Sequence, residues 1–559
     1  SLSAMRLVAR AGEVLGVELS VRALFDAPTV RELVVAASSA GSALAPITAA
    51  VPRPERIPLS FAQQRMWFIN QFDPGRATYN IPALLRLTGE IDEAALSAAV
   101  ADLVSRHEIL RTVYPSEDGV PYQQIAPADE VAARVHAVGD DALVRAASTR
   151  GDLEAAVTTG FDVTTDWPLR VRFWRADTDH LILAVVLHHI AGDGESMTPL
   201  VADLVTAYRA RTAGRAPQFD PLDVQFADYA IWQQNALGDP ADRQSEVGRE
   251  LAFWTDQLAD LPDVLNLPAD RPRPLVMDER GAAHSFQIPA PVAHRVTRLA
   301  ARAGATPFMV LHAALSVLLS RLSGERVVPI ATPIAGRGRA QLDSLIGMFV
   351  NTLVLRCDID PHSSFLDVLD DARFTDLEAF AHATVPFETV VDAVDPVRSE
   401  SFAPLAQVML AVQQGTPDTD ALELEGLTVS AMPPPTVAAK VDLHLEIGIV
   451  DDQPWWASFV YATSLFDETT IADFAAWFVT LLGGLTAEPE SAVGGVGFLS
   501  DRQRRGLLEA SRGEHLTVDV GTLPDWSDRR RHRSIDNAAA GRSMRNVWVT
   551  SGDTPGEPK

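Results

Sequence analysis

Read for polarity alone, the chain turns on residues 181–194, LILAVVLHHIAGDG. Seven apolar residues in a row predict a strand buried on both faces rather than one alternating between core and solvent. The run ends in two histidines, then Ile190-Ala191-Gly192 and Asp193-Gly194. Neighbouring strand residues point to opposite faces, so His188 and His189 cannot look into one cavity. One is expected to serve the scaffold. The other is expected at the strand end, where ligand crevices of mixed α/β sheets open. An amphipathic pattern over 195–211 predicts a helix whose positive N-terminal end lies beside the imidazoles.

The remaining pattern divides the chain. Helical spacing over 2–15, 21–25 and 30–38, the last capped by Thr29, predicts a small helical unit. The Pro- and Ala-rich stretch 40–58 has no apolar periodicity and reads as a linker that lets the preceding unit swing. Helices follow at 59–72, with Ser60 near the cap, and at 91–106. The second half repeats the mixed character: helix 308–322, strands 327–333, 346–356, 441–450 and 457–461, and helix 467–483. Beyond 505 the chain is polar, aperiodic and holds a basic cluster at 529–533, which reads as a disordered tail. The expected division is 1–45, a linker at 46–57, one lobe at 58–223, a second at 224–505 and a tail at 506–559.

Composition narrows the function. Apolar residues make up 47% of the 559, enough for large cores. No stretch reads as approaching the roughly 20 apolar residues of a membrane span, and the N-terminus is not a signal peptide. The single cysteine, Cys357, excludes an internal disulfide and fits a reducing cytoplasm. A net charge of −27 argues against a nucleic-acid partner.

Three chemistries are open to the histidine pair. Two satisfied core histidines is the plainest. Metal ligation is disfavoured because the rings diverge and no further His/Cys/Glu cluster lies at ligand spacing. General acid/base work by one imidazole is the best local reading. The glycines of Gly192-Asp193-Gly194 permit close backbone approach by a substrate, and Asp193 needs a partner if buried.

These residues carry a resemblance. HHIAGDG resembles the HHxxxDG signature of condensation domains of non-ribosomal peptide synthetases, in the chloramphenicol acetyltransferase-like superfamily. Around it, 59–72 resembles the family's first motif (Ser60, Gln63, Arg65) and 106–114 the second. Residues 226–234 resemble the fourth (Asp228, Tyr229, Trp232), 346–356 the fifth (Asn351) and 382–394 the sixth (Pro386, Phe387, Glu388). The seventh survives in part over 397–405. Together they cover about residues 55–500. The opening segment, SLSAMRLVARAGEVLGVELSVRALFDAPTVREL, is similar to the second half of a peptidyl carrier domain. It places Ser1 on the attachment serine for 4′-phosphopantetheine, although the usual Gly-Gly before that serine and the first helix are missing, which implies more chain upstream.

The resemblance implies an α/β fold of two acetyltransferase-like lobes in a V-shaped pseudo-dimer, with a helical carrier fragment at the N-terminus and the histidine motif at the base of a channel. It implies His189 as catalytic group and His188, Asp193, Gly194, Arg111, Asn351 and Ser60 as support. Arg111 is expected to pair with Asp193, which is then structural. No metal is expected, and no nucleic-acid or membrane partner. The partners implied are upstream donor and downstream acceptor carriers bearing aminoacyl or peptidyl thioesters, and adenylation domains of the same assembly line. The implied reaction is attack of a carrier-bound α-amine on a carrier-bound thioester. An L-configured donor is favoured, since no epimerase separates carrier from condensation unit. A CoA- or carrier-dependent acyltransferase and a non-catalytic recruitment domain are the alternatives; recruiters usually lose the signature's histidine or glycine, and both are present here.

Overall fold

The computed structural model describes residues 2–511 except 18, 28, 39–40, 42–44, 132–149, 176–179, 240, 416–421, 425, 436 and 500. The chain divides into two units, 1–498 and 499–559. In the second, the helix Asp501–Ser511 runs past the expected tail boundary at 506. The rest of the expected tail lies outside the described residues, as does Ser1.

Within the first unit two sheets and two apolar cores define two lobes. The first lobe's sheet has five antiparallel strands in the order Leu422–Leu424, Leu427–Met432, Asn80–Gly89, His180–His188, Leu169–Arg175. The apolar run is its fourth member, and every residue from Leu181 to His188 is buried. Packing on both faces explains why it does not alternate. Leu200, Leu204 and Ala207 of the helix Met197–Thr212 are buried in the same core, which the helix Glu93–Arg106 also serves.

The second lobe's sheet has seven strands in the order Asn351–Asp358, Val327–Ile334, Val408–Gln414, Leu443–Ile449, Trp455–Ala462, Arg280–Ile288, Val437–Ala438. Its core is filled by the helices Pro307–Ser323, Phe365–Ala381 and Glu468–Ala487. The last is 20 residues long and by length and composition apolar enough to cross a membrane, contrary to the expectation that no stretch approaches that length. Here Ile471, Phe474, Phe478, Leu481, Leu482 and Leu485 are buried in the lobe core.

The lobes exchange chain at two places. Leu427–Met432 belongs by sequence to the second half yet pairs with Leu84–Gly89 of the first sheet. Residues 346–350, expected as part of a strand, instead cross to the first lobe, and Ile346, Met348 and Phe349 join its core. The strand begins only at Asn351.

The N-terminal fragment forms the expected helices Leu2–Leu15, Val21–Asp26 and Val30–Ser38 around Val8, Leu19 and Ala37. Thr29 caps the third, accepting from the Glu32 N–H at 3.3 Å while Glu32 accepts from the Thr29 N–H at 3.2 Å. Val21 reaches the second lobe's core, and Arg22 pairs with Glu378.

The expected free linker is pinned instead. Ile47 is 1% exposed in the first lobe's core. Arg53 spans Glu108 at 2.6 Å and Asp228 at 2.9 Å, and the Trp232 indole donates to the Ala45 carbonyl at 2.7 Å. An isolated isoleucine and an arginine carry no periodicity, so the anchoring was invisible to pattern reading.

Candidate active site

The motif strand ends at His188, and a short 3-10 turn, His189–Ala191, follows. The change of backbone turns the two rings apart. His188 is 2% exposed, accepts from the Ile190 N–H through Nδ1 at 3.1 Å and lies edge-on to Phe161. Burial, with His189 and Lys440 adding positive charge, pushes its pKa down to about 3. Its ring is thus tied to the backbone of the turn.

His189 faces the other way. Its N–H donates to the Tyr79 carbonyl at 2.8 Å, and its ring lies 6.4 Å from that of Tyr79. The residue is only half-buried, whereas its Nδ1 is fully buried without a well-formed hydrogen bond. Desolvation first, then the Lys440 charge, hold the ring's pKa down to about 3; the carbonyls of His189 and Gly192 act the other way, and the Arg65 charge adds last. This imidazole is neutral across the physiological range.

Around it lie charged groups from both halves. Arg65, on the helix Phe61–Phe72, pairs with Glu388 at 2.6 Å and lies 5.4 Å from the Phe387 ring centroid. Lys440 precedes the strand Leu443–Ile449, its ammonium 5.7 Å from the Tyr79 ring centroid. Lys440 is exposed, yet displaced bulk water first and Arg65 second pull its pKa down to about 8. Among the described residues no carboxylate pairs with it.

Asp193 is buried in an ion pair, but with a different partner from the one expected. The Arg111 guanidinium donates to the carbonyls of Ala126 at 2.6 Å and Ser105 at 3.4 Å. Asp193 is instead met by Arg337 at 3.2 Å, from the second half. Its carboxylate also accepts from Ser196 N–H at 2.9 Å and from the N–H groups of Phe349 at 2.9 Å and Val350 at 3.1 Å. Thus the carboxylate locks the crossing segment 346–350 onto the histidine turn. Gly192 packs so closely that an added Cβ would lie 2.2 Å from Leu187 Cδ2, while one on Gly194 meets nothing within 4 Å. Gly194 is exposed.

Ser60 and Asn351 act at one remove. Ser60, 1% exposed, caps the helix Phe61–Phe72 in a reciprocal box with Gln63. The Gln63 amide then donates to the Ile190 carbonyl at 3.1 Å, tying that helix to the histidine turn. Asn351 donates to the carbonyls of Ala383 at 3.0 Å and Val385 at 2.6 Å and accepts from the Phe387 N–H at 2.9 Å. It clamps the loop that delivers Glu388 to Arg65. Asp228, Tyr229 and Trp232 serve packing: Asp228 is 1% exposed against Arg53, and Tyr229 lies among the Phe226, Phe349 and Trp232 rings. Lys440, Tyr79 and Arg337 escaped sequence reading. Each sits far along the chain from the motif it serves, and a lone lysine after an Ala-Ala carries no local signal.

A two-lobed α/β enzyme scaffold, with an accessible neutral histidine where chain crosses between lobes, describes an acyltransferase-type site. Residues 54–508 match the family model described as the condensation domain, and 1–36 match that of the phosphopantetheine attachment site. The chain belongs to the condensation-domain family, whose members in non-ribosomal peptide synthetases are amide-bond-forming acyltransferases. The second match implies covalently bound 4′-phosphopantetheine. The chain is 43% identical over 91% of its length to "Probable non-canonical nonribosomal peptide synthetase (NRPS) CymA" of Salinispora arenicola, and 40% identical over 95% to a dimodular nonribosomal peptide synthase of Bacillus subtilis. It spans only 6% and 22% of those relatives. Among solved structures, the X-domain from teicoplanin biosynthesis is similar at 32% identity and a TM-score of 0.74, covering 81% of this chain and 100% of that one.

Proposed function

We propose that this domain joins two carrier-bound substrates by a peptide bond, the α-amine of an acceptor attacking the thioester of an L-configured donor. The observation that carries this reading is His189, half-buried and held neutral on the turn that leads into Gly194, where an added Cβ meets nothing within 4 Å. A free α-amine has a pKa of about 7.7–8.0, so a useful fraction is neutral without help. The site therefore has mainly to position the reactants, a contribution of about 7–11 kcal/mol in favourable cases.

With the proton on the buried Nδ1, the Nε2 lone pair is left for the amine. An imidazole this weakly basic is suited to holding an N–H rather than resting as imidazolium. The amine nitrogen bonds to the carbonyl carbon, its proton is relayed through the imidazole contact to the departing sulfur, and amide and thiol result. Bound 4′-phosphopantetheine supplies the thioester and the reach. Gly194 leaves the room that such an arm needs, while Ser1, its expected attachment, lies outside the described residues. Upstream and downstream carriers, charged by adenylation domains in the cytoplasm, are the partners this chemistry requires.

The test loads donor and acceptor carriers with defined L- or D-aminoacyl groups and follows dipeptidyl-thioester formation by mass spectrometry. The reading predicts product from L-donors and its loss in His189→Ala. A second reading, partner recruitment without catalysis, is favoured by the likeness to an X-domain whose structure was solved in complex with OxyB. It predicts no dipeptidyl product from any donor and capture of a partner enzyme that survives His189→Ala.

A further inference from the structure

The Lys440 ammonium has no counter-ion among the described residues and no place in the reaction as written so far. Its position is fixed with some care. The Ala439 N–H donates to the Glu279 carbonyl at 2.8 Å, and Asp442, 4% exposed, is gripped by both terminal nitrogens of Arg273. The backbone is thus tied on either side of Lys440 while its side chain stays exposed. The ammonium lies on the face of Tyr79, the same residue whose carbonyl receives the His189 N–H. Cation and imidazole therefore lie about one aromatic side chain, one carried by each lobe.

The other ionisable groups around it are spoken for. Arg65 is neutralised by Glu388, Arg76 by Glu279 at 3.2 Å, and His444 lies 3.5 Å from Glu446. The imidazoles of His188, His189 and His444 are held neutral by burial and by Lys440 itself. Burial keeps the Tyr79 phenol protonated. Among the described residues around Tyr79, the Lys440 ammonium is the cation left without a carboxylate, and it is held there against repulsion from Arg65.

We infer that Lys440 is a catalytic residue, its ammonium stabilising the oxyanion formed when the acceptor amine adds to the donor thioester. This rests on the peptide-bond-forming reading above. As the N–C bond forms, the carbonyl π pair moves onto oxygen and the Lys440 charge balances it. As the pair returns, the C–S bond breaks and the thiolate takes the proton relayed from nitrogen, leaving amide, thiol and an unchanged ammonium. A positive group fixed in advance, where charge develops only in the transition state, lowers the barrier without binding the neutral thioester more tightly.

The experiment is single-turnover condensation by the carrier-bearing enzyme, with aminoacyl thioesters on donor and acceptor carriers, at pH 6–10, for wild type, Lys440→Met, Lys440→Arg and His189→Ala. Removal of one such group costs about 100-fold in the chemical step, so Lys440→Met should lose about that much with carrier affinities unchanged. Wild type should decline on the alkaline side near pH 8, where the ammonium is lost. Lys440→Met should lack that decline, and Lys440→Arg should recover most of the rate and move the decline to higher pH. Lys440→Met within twofold of wild type overturns the proposal, and so do equal losses in both lysine variants with the alkaline limb unmoved, the mark of a structural role. Loss of product in His189→Ala but not in Lys440→Met sinks this proposal alone. Absence of product from wild type sinks the underlying reading and the proposal with it.

Discussion

Replacing Asp193 by alanine tests how the histidine turn is held. The wild-type carboxylate is 2% exposed and satisfies the guanidinium of Arg337, whose side chain is 5% exposed, together with the N–H groups of Ser196, Phe349 and Val350. In Asp193→Ala the Phe349 and Val350 N–H groups lose this acceptor and the buried Arg337 charge loses its counter-ion, although its guanidinium keeps the Leu342 and Leu345 carbonyls and Ser196 Oγ. Removing one member of a buried ion pair costs about 3–5 kcal/mol, most of it the stranded charge. Each unpaired N–H costs about 1–3 kcal/mol taken alone, although shared relaxation keeps these costs from adding. The expected loss is therefore about 3–5 kcal/mol, concentrated where 346–350 crosses between lobes. Hydrogen exchange reads this locally: the Phe349 and Val350 amides should exchange at least about 100-fold faster, since 1.36 kcal/mol is one decade. Asp193→Ala/Arg337→Met removes the stranded charge and should recover at least about 1 kcal/mol relative to Asp193→Ala, whereas independent sites would add their losses. Exchange unchanged at those two amides, or a double variant as unstable as the sum of the singles, refutes the claim that this carboxylate locks the segment.

Two further outcomes follow from the same geometry. His188 is neutral when folded, with a pKa near 3 against about 6.5 unfolded, so its contribution is fully present above pH 6.5. As pH falls from 6.5 toward 3 only the unfolded chain takes up the proton, and by pH 4.5 about 3 kcal/mol is lost; urea titrations from pH 7.5 to 4.5 should show His188→Gln losing that much less. Gly194→Val should fold normally, because its Cβ meets nothing within 4 Å, yet slow condensation at least about tenfold by filling the substrate's path; a destabilised variant, or full turnover, contradicts the assigned opening.

Local patterns revealed most of this architecture. The seven-residue apolar run, the caps at Ser60 and Thr29 and the helical periodicities need only near neighbours, and their elements were legible to within a few residues. So was the divergence of the His188 and His189 rings, because adjacent side chains at a strand end must point apart. What sequence missed is non-local. Arg111 was the expected partner of Asp193, but a buried carboxylate accepts any cation the fold delivers, and it is Arg337 that arrives, 144 positions along the chain. Residues 346–350 are as apolar as a strand because they enter the other lobe's core, and hydrophobicity alone cannot say which core. Lys440 stands beside His189 only because the second lobe's sheet brings it there.

The account depends on His189 above all. The most direct measurement is the rate of dipeptidyl-thioester formation from two loaded carriers by wild type and His189→Ala, each checked for an unchanged circular dichroism spectrum and unfolding transition. The account predicts product from wild type and a loss of at least about 100-fold in the variant, the range expected for a proton-handling side chain. Equal rates from both folded proteins would contradict it.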